Sequence, residues 1–528
     1  MSRRPLSAAR RLAACLVVLA CAAGCATTGG PDPAPAGPPT LTLATGFAID
    51  DLDPLENSYW GPEFGYVELL MRPDRGGAPT PWVLAGLTNP QPVTWKLAQR
   101  ENVTFLDGAP LNSAALADLL TFQLAENPSF TTALPGATAA VTGPLEVTLT
   151  TAEPAPNVPA LLADESMVPV YDVAAYRKHR DSGAPASALL TAGIYTGPYR
   201  VDSLDGASMQ LSPRADHWAG KPALDDLTVK FVPEAGARIQ AVQAGEADIA
   251  LYPPTATAPT LAGRQDAFFV TGQPSGATFQ LQLNQREAPF DDALVRRAVY
   301  AGIDYAELAD KVMNGLYSPA IGLYADSRPW AEKTQVFDPT LAGSLLDQAG
   351  YTRTGDGPRT RGGTALRFGL LTYPQQPDSD VLALAVQAQL ATIGVGVDIR
   401  QVPDLESTLE EKTGWQAAVA GNGFISFGGD YITPLKNYLR TGGPRNFGGT
   451  ADPALDALID RVAVELDPTV RDGLLRQIQD RVAEQGYLGY LGIRRPAVVT
   501  GPAWRGYQVP ISNLWVNART APSATPGG

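Results

Sequence analysis

"LTVKFVPEAGARIQAVQAGEADIALYPP", residues 227–254, changes its periodicity twice. Leu227, Val229 and Phe231 alternate with polar residues, the spacing of a half-buried strand. Pro233 ends that run. "GARIQAVQAG" then reads as a helix, and "DIALY" as a short buried strand. Strand, helix and strand within thirty residues form the unit from which α/β sheets are assembled.

The same alternation appears on either side. "TLTLAT" at 40–45 is a strand with Leu41 and Leu43 on one face, and "LEVTLTT" at 145–151 is another. Between them, "TWKLAQRENVTFLDGAPLNSAALADLLTFQL" at 94–124 reads as strand, Asp107-Gly108 turn and helix. Asn112 or Ser113 caps that helix, and Leu116, Leu119, Leu120 and Leu124 share a face. "FDDALVRRAVYAGIDYAELADKVM" at 290–313 is a helix capped by Asp291 or Asp292, with Leu294, Val295, Ala298 and Val299 inward. "ALRFGLLTY" and "VLALAVQAQLATIGVGVDIRQV" give strand, helix and strand. Asp467 caps a further helix with Pro468 at its first position, and Leu474, Leu475, Ile478 and Val482 form its stripe. The fold class is therefore α/β. A chain of 528 residues exceeds one core, so two or three lobes are expected.

The net charge of −14 argues against nucleic acid as a partner, since counterion release needs a basic surface. Only His179 and His217 carry imidazole, and Cys15, Cys21 and Cys25 are the only cysteines. Neither a metal site of nitrogen and sulfur ligands nor a disulfide framework is expected in the body. No cofactor is expected either.

The front end explains the cysteines. "MSRRPLSAARR" is basic, and "LAACLVVLACAA" is apolar but too short to span a bilayer, as in an export signal. "AAGC" resembles a lipobox that would make Cys25 the lipidated residue. "VLAC", ending at Cys21, is the competing site, and a plain cleaved signal is the other alternative. "ATTGGPDPAPAGPP", residues 26–39, lacks the apolar surface to offset ordering entropy and reads as a tether.

No GxxxxGK[ST], GxGxxG or GxSxG occurs, and no serine stands three before a lysine. No catalytic residue is assigned. Asp430 in "FGGDYITP" stands out among aromatic and glycine neighbours. Glycoside chemistry would need a second carboxylate facing it.

Several stretches, in order, resemble the family 5 extracellular solute-binding proteins, the peptide, opine and nickel receptors of ABC importers. They are "LDPL", "TWKLAQRENVTFLDGAPLNSAAL", "AGIYTGPYRV", "DHWAGKPALDDLTVKFVPEAGARIQAVQAGEADI", "FDDALVRRAVYAGID", "LLDQAGY", "QLATIGVGVDI", "GGDYITPLKNYL" and "NFGGTADPALDALID". The resemblance implies a periplasmic-binding-protein-like type II fold, two hinged lobes with an extra domain (cluster C). The implied division is 1–25 signal peptide with lipobox, 26–39 tether, 40–80 lobe I, 81–196 extra domain II, 197–285 lobe I again, 286–504 lobe III and 505–528 a return to lobe I.

The resemblance also implies the site. In peptide-binding members an aspartate in a stretch like "GDY" pairs with the ligand's α-ammonium, and Asp430 matches it. The competing reading of Asp430 is a turn residue. Phe427, Tyr431 and Asn446 fall near positions that line the cleft, and Tyr59 and Trp60 offer stacking surface. For the aromatics, core packing competes. No arginine lies between Arg367 and Arg400, where dipeptide receptors place one for the ligand carboxylate; Tyr373 sits near that place. His217 reads as structural.

The function implied is an extracytoplasmic lipoprotein that captures a peptide-like solute and passes it to ABC permease and ATPase subunits. It would work as a monomer without a catalytic step, anchored on the outer face of the cytoplasmic membrane, on the periplasmic or cell-surface side. A nickel-chelate, opine or sugar receptor of the same fold is the alternative. A secreted carboxylate-dependent hydrolase is the alternative from another class.

Overall fold

The computed structural model describes residues 39–57, 59–274, 278–326, 328–374, 376, 378–421 and 430–522. Cys21, Cys25 and Phe427 lie outside them.

The stretch 227–254 folds as strand Asp226–Phe231, helix Ala235–Gln243 and strand Ile249–Leu251. One buried side chain locks the unit. The Arg238 guanidinium donates to the carbonyls of Val232, Pro233, Leu251 and Tyr252 at 2.8, 2.7, 3.1 and 3.2 Å. It thus ties the helix to the ends of both strands. Thr40–Thr45 runs parallel between those strands, with Leu41 opposite Leu227, and Leu43 opposite Val229 and Ile249. All five side chains are buried, which fixes the register, since a one-residue slip would turn them to the other face.

This unit is the centre of a seven-stranded mixed sheet, lobe I. In spatial order its strands are Tyr199–Leu204, Ser208–Pro213, Asp226–Phe231, Thr40–Thr45, Ile249–Leu251, Ala497–Thr500 and Phe268–Thr271. A six-stranded sheet forms lobe III, in the order Tyr317–Ser318, Leu488–Arg494, Thr278–Leu283, Ala417–Ala420, Arg367–Thr372 and Gly396–Gln401. A four-stranded antiparallel sheet, Leu84–Gln91, Thr94–Gln99, Glu146–Thr150 and Thr138–Gly143, builds the extra domain.

The expected boundaries at 285 and 504 both move. Thr278–Leu283 pairs inside the lobe III sheet, and Ala497–Thr500 pairs inside the lobe I sheet. The chain therefore crosses between lobes at 272–277 and again at 495–496. The two crossings are bonded to each other, Gly272 N–H to the Pro496 carbonyl at 2.7 Å. A Cβ at Gly272 would lie 3.0 Å from the Val509 carbonyl and 3.0 Å from the Pro496 ring, so this strap has no room for a side chain.

The helices follow their capping signals. Asn112 accepts from Ala115 N–H, Asp292 from Leu294 N–H, and Asp467 from Thr469 and Val470 N–H. Val295, Ala298 and Val299 are buried as read, while Leu294 is half-buried at the helix start. Lobe I and the extra domain share one continuous hydrophobic core, and lobe III has its own. Cores divided this way favour two rigid bodies joined by the strap.

Candidate ligand-binding cleft

Among the described residues, side-chain hydrogen bonds bridge the lobes at Asp378 and at Asp430. Near the strap, Asp378 opens the lobe III helix Asp378–Thr392. Its carboxylate accepts from Thr255 Oγ1 at 3.0 Å across the seam and from Tyr317 OH at 3.1 Å within lobe III. The other bridge is made by Asp430. Its Oδ1 accepts from the N–H groups of Ile432 at 2.8 Å and Thr433 at 3.1 Å, which anchors it to the start of the turn Ile432–Pro434. Asn157 of the extra domain reaches it with Nδ2 at 3.4 Å from each oxygen. Asp430 is only 3% exposed. Burial pushes its carboxyl above the usual range, against the pull of Thr433, Ile432 and Asn157. The turn reading and the cleft reading of this residue are therefore compatible: the turn aims a desolvated carboxyl at the facing domain.

The other site residues read from the sequence fare differently. Asn446 is a loop organiser. Its Nδ2 donates to the Arg440 and Thr450 carbonyls at 3.0 and 2.7 Å, and its Oδ1 accepts from Gly449 and Thr450 N–H at 3.0 and 2.8 Å. Both donors and both lone pairs are committed to backbone, which leaves nothing for a ligand and corrects that expectation. Tyr431 belongs to the lobe III core, with the Trp330 ring 5.5 Å away and the Arg471 guanidinium 5.5 Å over its face. Packing, the competing reading, describes it better. Trp60 is buried in lobe I, stacked on Phe64 at 6.0 Å and beside Phe47 at 5.4 Å. Tyr59 packs 4.5 Å from Trp60 yet keeps 39% of its surface exposed, which leaves it free to meet a solute.

His217 is structural. Its Nδ1 accepts from Ala219 N–H at 3.3 Å, so Nε2 carries the proton and donates to Glu68 at 3.2 Å. Trp82 and Trp218 donate their indole N–H groups to the same buried carboxylate.

Sequence reading missed the second set of carboxyls. Glu63 lies on the short helix Trp60–Phe64, whose backbone is bonded to the returning segment through Val516 N–H to Glu63 O at 3.1 Å. Burial, with Glu165 second, holds the Glu63 carboxyl well above its usual range. Glu165 is pushed up to about 8 by burial and by the neighbouring Asp164. Both influence Tyr59, whose hydroxyl is raised by burial and then by the charges of Glu63 and Glu165. Arg494 was also missed. It ends the lobe III strand Leu488–Arg494 and acts on Tyr317 and Tyr373 in lobe III and on Tyr252 in lobe I, which sets it at the seam. The only hint in the sequence was the "IRRP" run leading into the strap.

Two lobes on a two-strand strap, with acidic, aromatic and basic side chains along their seam, define a solute-binding receptor. The chain belongs to a known family of these. The model for bacterial extracellular solute-binding proteins, family 5 middle, matches residues 78–447. The nickel-binding protein NikA of Staphylococcus aureus is 22% identical over 434 residues, 81% of this chain and 84% of that one. Di/tripeptide-binding protein 2 of Pseudomonas aeruginosa is 29% identical over 318 residues, 55% of this chain and 54% of that one. The crystal structure of S. aureus NikA with Ni(L-His)2 superposes with a TM-score of 0.77 at 20% identity, covering 92% of this chain and all of that one. That match carries the two-lobed α/β fold. The chain is thus a substrate-binding component of the ABC-importer kind.

Proposed function

We propose that this receptor captures a peptide-like solute with a free amino terminus between its lobes and delivers it to an ABC permease. The observation that carries the reading is Asp430, a buried carboxyl at the seam, held by a turn in lobe III and met by Asn157 from the facing domain. An ammonium arriving there forms a charge-assisted hydrogen bond in a poorly solvated place, where such bonds are strongest. The relative named as a di/tripeptide-binding protein supports the same solute class. The relative named as nickel-binding keeps nickel chelates in the ligand panel. Carboxylate-dependent hydrolysis is disfavoured at Asp430, because Oδ1 accepts two backbone N–H groups rather than standing open as nucleophile or base.

The test is calorimetric titration of trialanine and N-acetyl-trialanine into the wild type and Asp430→Asn. The reading expects acetylation and the substitution each to abolish or strongly weaken binding. Equal affinity for both peptides overturns it. Anchoring through Cys25, with Cys21 as the competing site, belongs to the same proposal. Cys25→Ser then releases the protein from membranes on fractionation, and retention of that variant overturns the Cys25 assignment.

A further inference from the structure

We propose that the free edge of lobe III docks a second copy of this chain, strand Gly396–Gln401 pairing antiparallel with its own counterpart about a two-fold axis at Ile399. This departs from the monomer expected from the sequence, and it does not depend on which solute is bound.

Gly396–Gln401 is the last strand of the six-stranded sheet, paired on one side with Arg367–Thr372. Gly396 N–H donates to the Leu366 carbonyl at 3.0 Å, and Val402 N–H to the Thr372 carbonyl at 2.9 Å. Backbone groups alternate sides along a strand, so Val397, Ile399 and Gln401 turn theirs outward. Gln387 Nε2 caps the Val397 carbonyl at 2.8 Å. Among the described residues, neither the Ile399 N–H nor its carbonyl has a hydrogen-bond partner. An unpaired edge is a template for another strand, and natural edges are commonly guarded by charge.

Here the order of the charges favours a copy of the same strand. Pairing centred on Ile399 sets Asp398 opposite Arg400 of the second copy, and symmetry repeats the pair. These residues fall between hydrogen-bonded pairs, where facing side chains are closest and opposite charges attract. Val397 is buried and Gln401 bonds to the helix Asp378–Thr392, so Asp398 and Arg400 stand on the other face, exposed. Arg367 holds Asp398 there, its Nη2 donating to Oδ1 at 2.6 Å, and a carboxylate has further lone pairs to offer. Arg400 has no ion pair among the described residues.

The helix above the strand fits the same axis. Gln401 Nε2 donates to Asp380 at 2.9 Å, and Gln387 reaches Val397, so this side of the helix lies along the edge strand. Leu384 stands on that side, four residues after Asp380 and three before Gln387, which sets it level with Ile399. It is 58% exposed, and Val381, a turn earlier, is 41% exposed. The two-fold axis brings Leu384 to Leu384 of the second copy and takes both out of water. Backbone register, charge order and the exposed leucine thus converge on one axis.

The experiment is sedimentation equilibrium of the purified full chain over a wide range of concentration, beside Arg400→Asp and Leu384→Lys, with thermal unfolding of each variant as a check of folding. The wild-type mass should rise with concentration toward twice that of the chain. Arg400→Asp sets like charges opposite each other at both pairs and should weaken the dimer about tenfold or more. Leu384→Lys, which buries an ammonium against its own copy, should do the same. A monomer at every concentration overturns the inference. So does a dimer that either folded variant leaves intact, since another surface then makes it. Should one variant fail to fold, the other decides.

Discussion

Asp430 and Glu63 are both buried carboxyls, one in lobe III and one in lobe I, and their surroundings differ in kind. Asp430 accepts from two backbone N–H groups and from Asn157. Glu63 meets Trp515, Asn513 and Tyr252 but also the acidic Glu165, and its Oε2 makes no well-formed hydrogen bond. Burial raises both. The turn at Asp430 fixes where the carboxylate points, so a ligand meets a preformed group. At Glu63 burial and the neighbouring Glu165 work against the charged form instead. One carboxyl is held in position by its own backbone, and the other is held away from its charged form by its surroundings.

Several substitutions test this contrast. The largest effect is expected from Asp430→Asn, which keeps the turn acceptor but removes the charge. Affinity for a peptide with a free amino terminus should fall by roughly thirtyfold or more, about 2 kcal/mol, by calorimetry. A smaller loss would put Asp430 on the structural side of the comparison. Next comes Asn446→Ala, which removes four hydrogen bonds from the loop 440–450 and takes from the Thr450 N–H and carbonyl the amide that satisfies them. Denaturant unfolding should show a stability loss of about 1–3 kcal/mol, with ligand preference unchanged. Thr255→Val removes the Oγ1 bond to Asp378 across the seam. It should cost about 1 kcal/mol of lobe closure, seen as a larger radius of gyration of the unliganded protein in solution scattering.

A different test concerns pH. The groups around Glu165 are Asp164, Glu63, Tyr59, Tyr252 and Asn513. Glu165 has a folded value of about 8 against 4.5 for the free side chain. Between these values the folded state binds the proton that the unfolded state has lost, so stability falls as pH rises through that window. Its contribution is fully present below about 4.5 and lost by about 8. Glu165→Gln cannot ionise, so its midpoint of thermal unfolding should decline less over the same range. Identical slopes for both proteins would remove Glu165 from the comparison.

How much of this was legible depended on distance along the chain. The strand–helix–strand at 227–254 was plain because periodicity, proline and helix-compatible residues agree over thirty residues. Asp430 was found through its neighbours in "GGDYITP", and its capping bonds are indeed local, two and three residues away. Asn446 was placed in a cleft by resemblance, but its partners lie within six residues, and a loop closing on its own amide leaves no mark in the pattern. Glu63 sat unread in "ENSYWGPEFGY". Its carboxyl is raised by burial and by Glu165, which arrives about a hundred residues later. The lobe boundaries slipped for a related reason: Ala497–Thr500 looks like any buried strand, and only its pairing assigns it to lobe I.

That last strand bears on the order of synthesis. Ala497–Thr500 inserts between Ile249–Leu251 and Phe268–Thr271, and Leu488–Arg494 inserts between Tyr317–Ser318 and Thr278–Leu283. Neither large sheet can close its hydrogen-bond ladder until residues near 500 have been made. Such long-range pairing is slow and comes late. A chain leaving a ribosome or a translocation channel would stay unlocked until almost all of it was through, and both lobes would then be sealed by one incoming segment, residues 488–500.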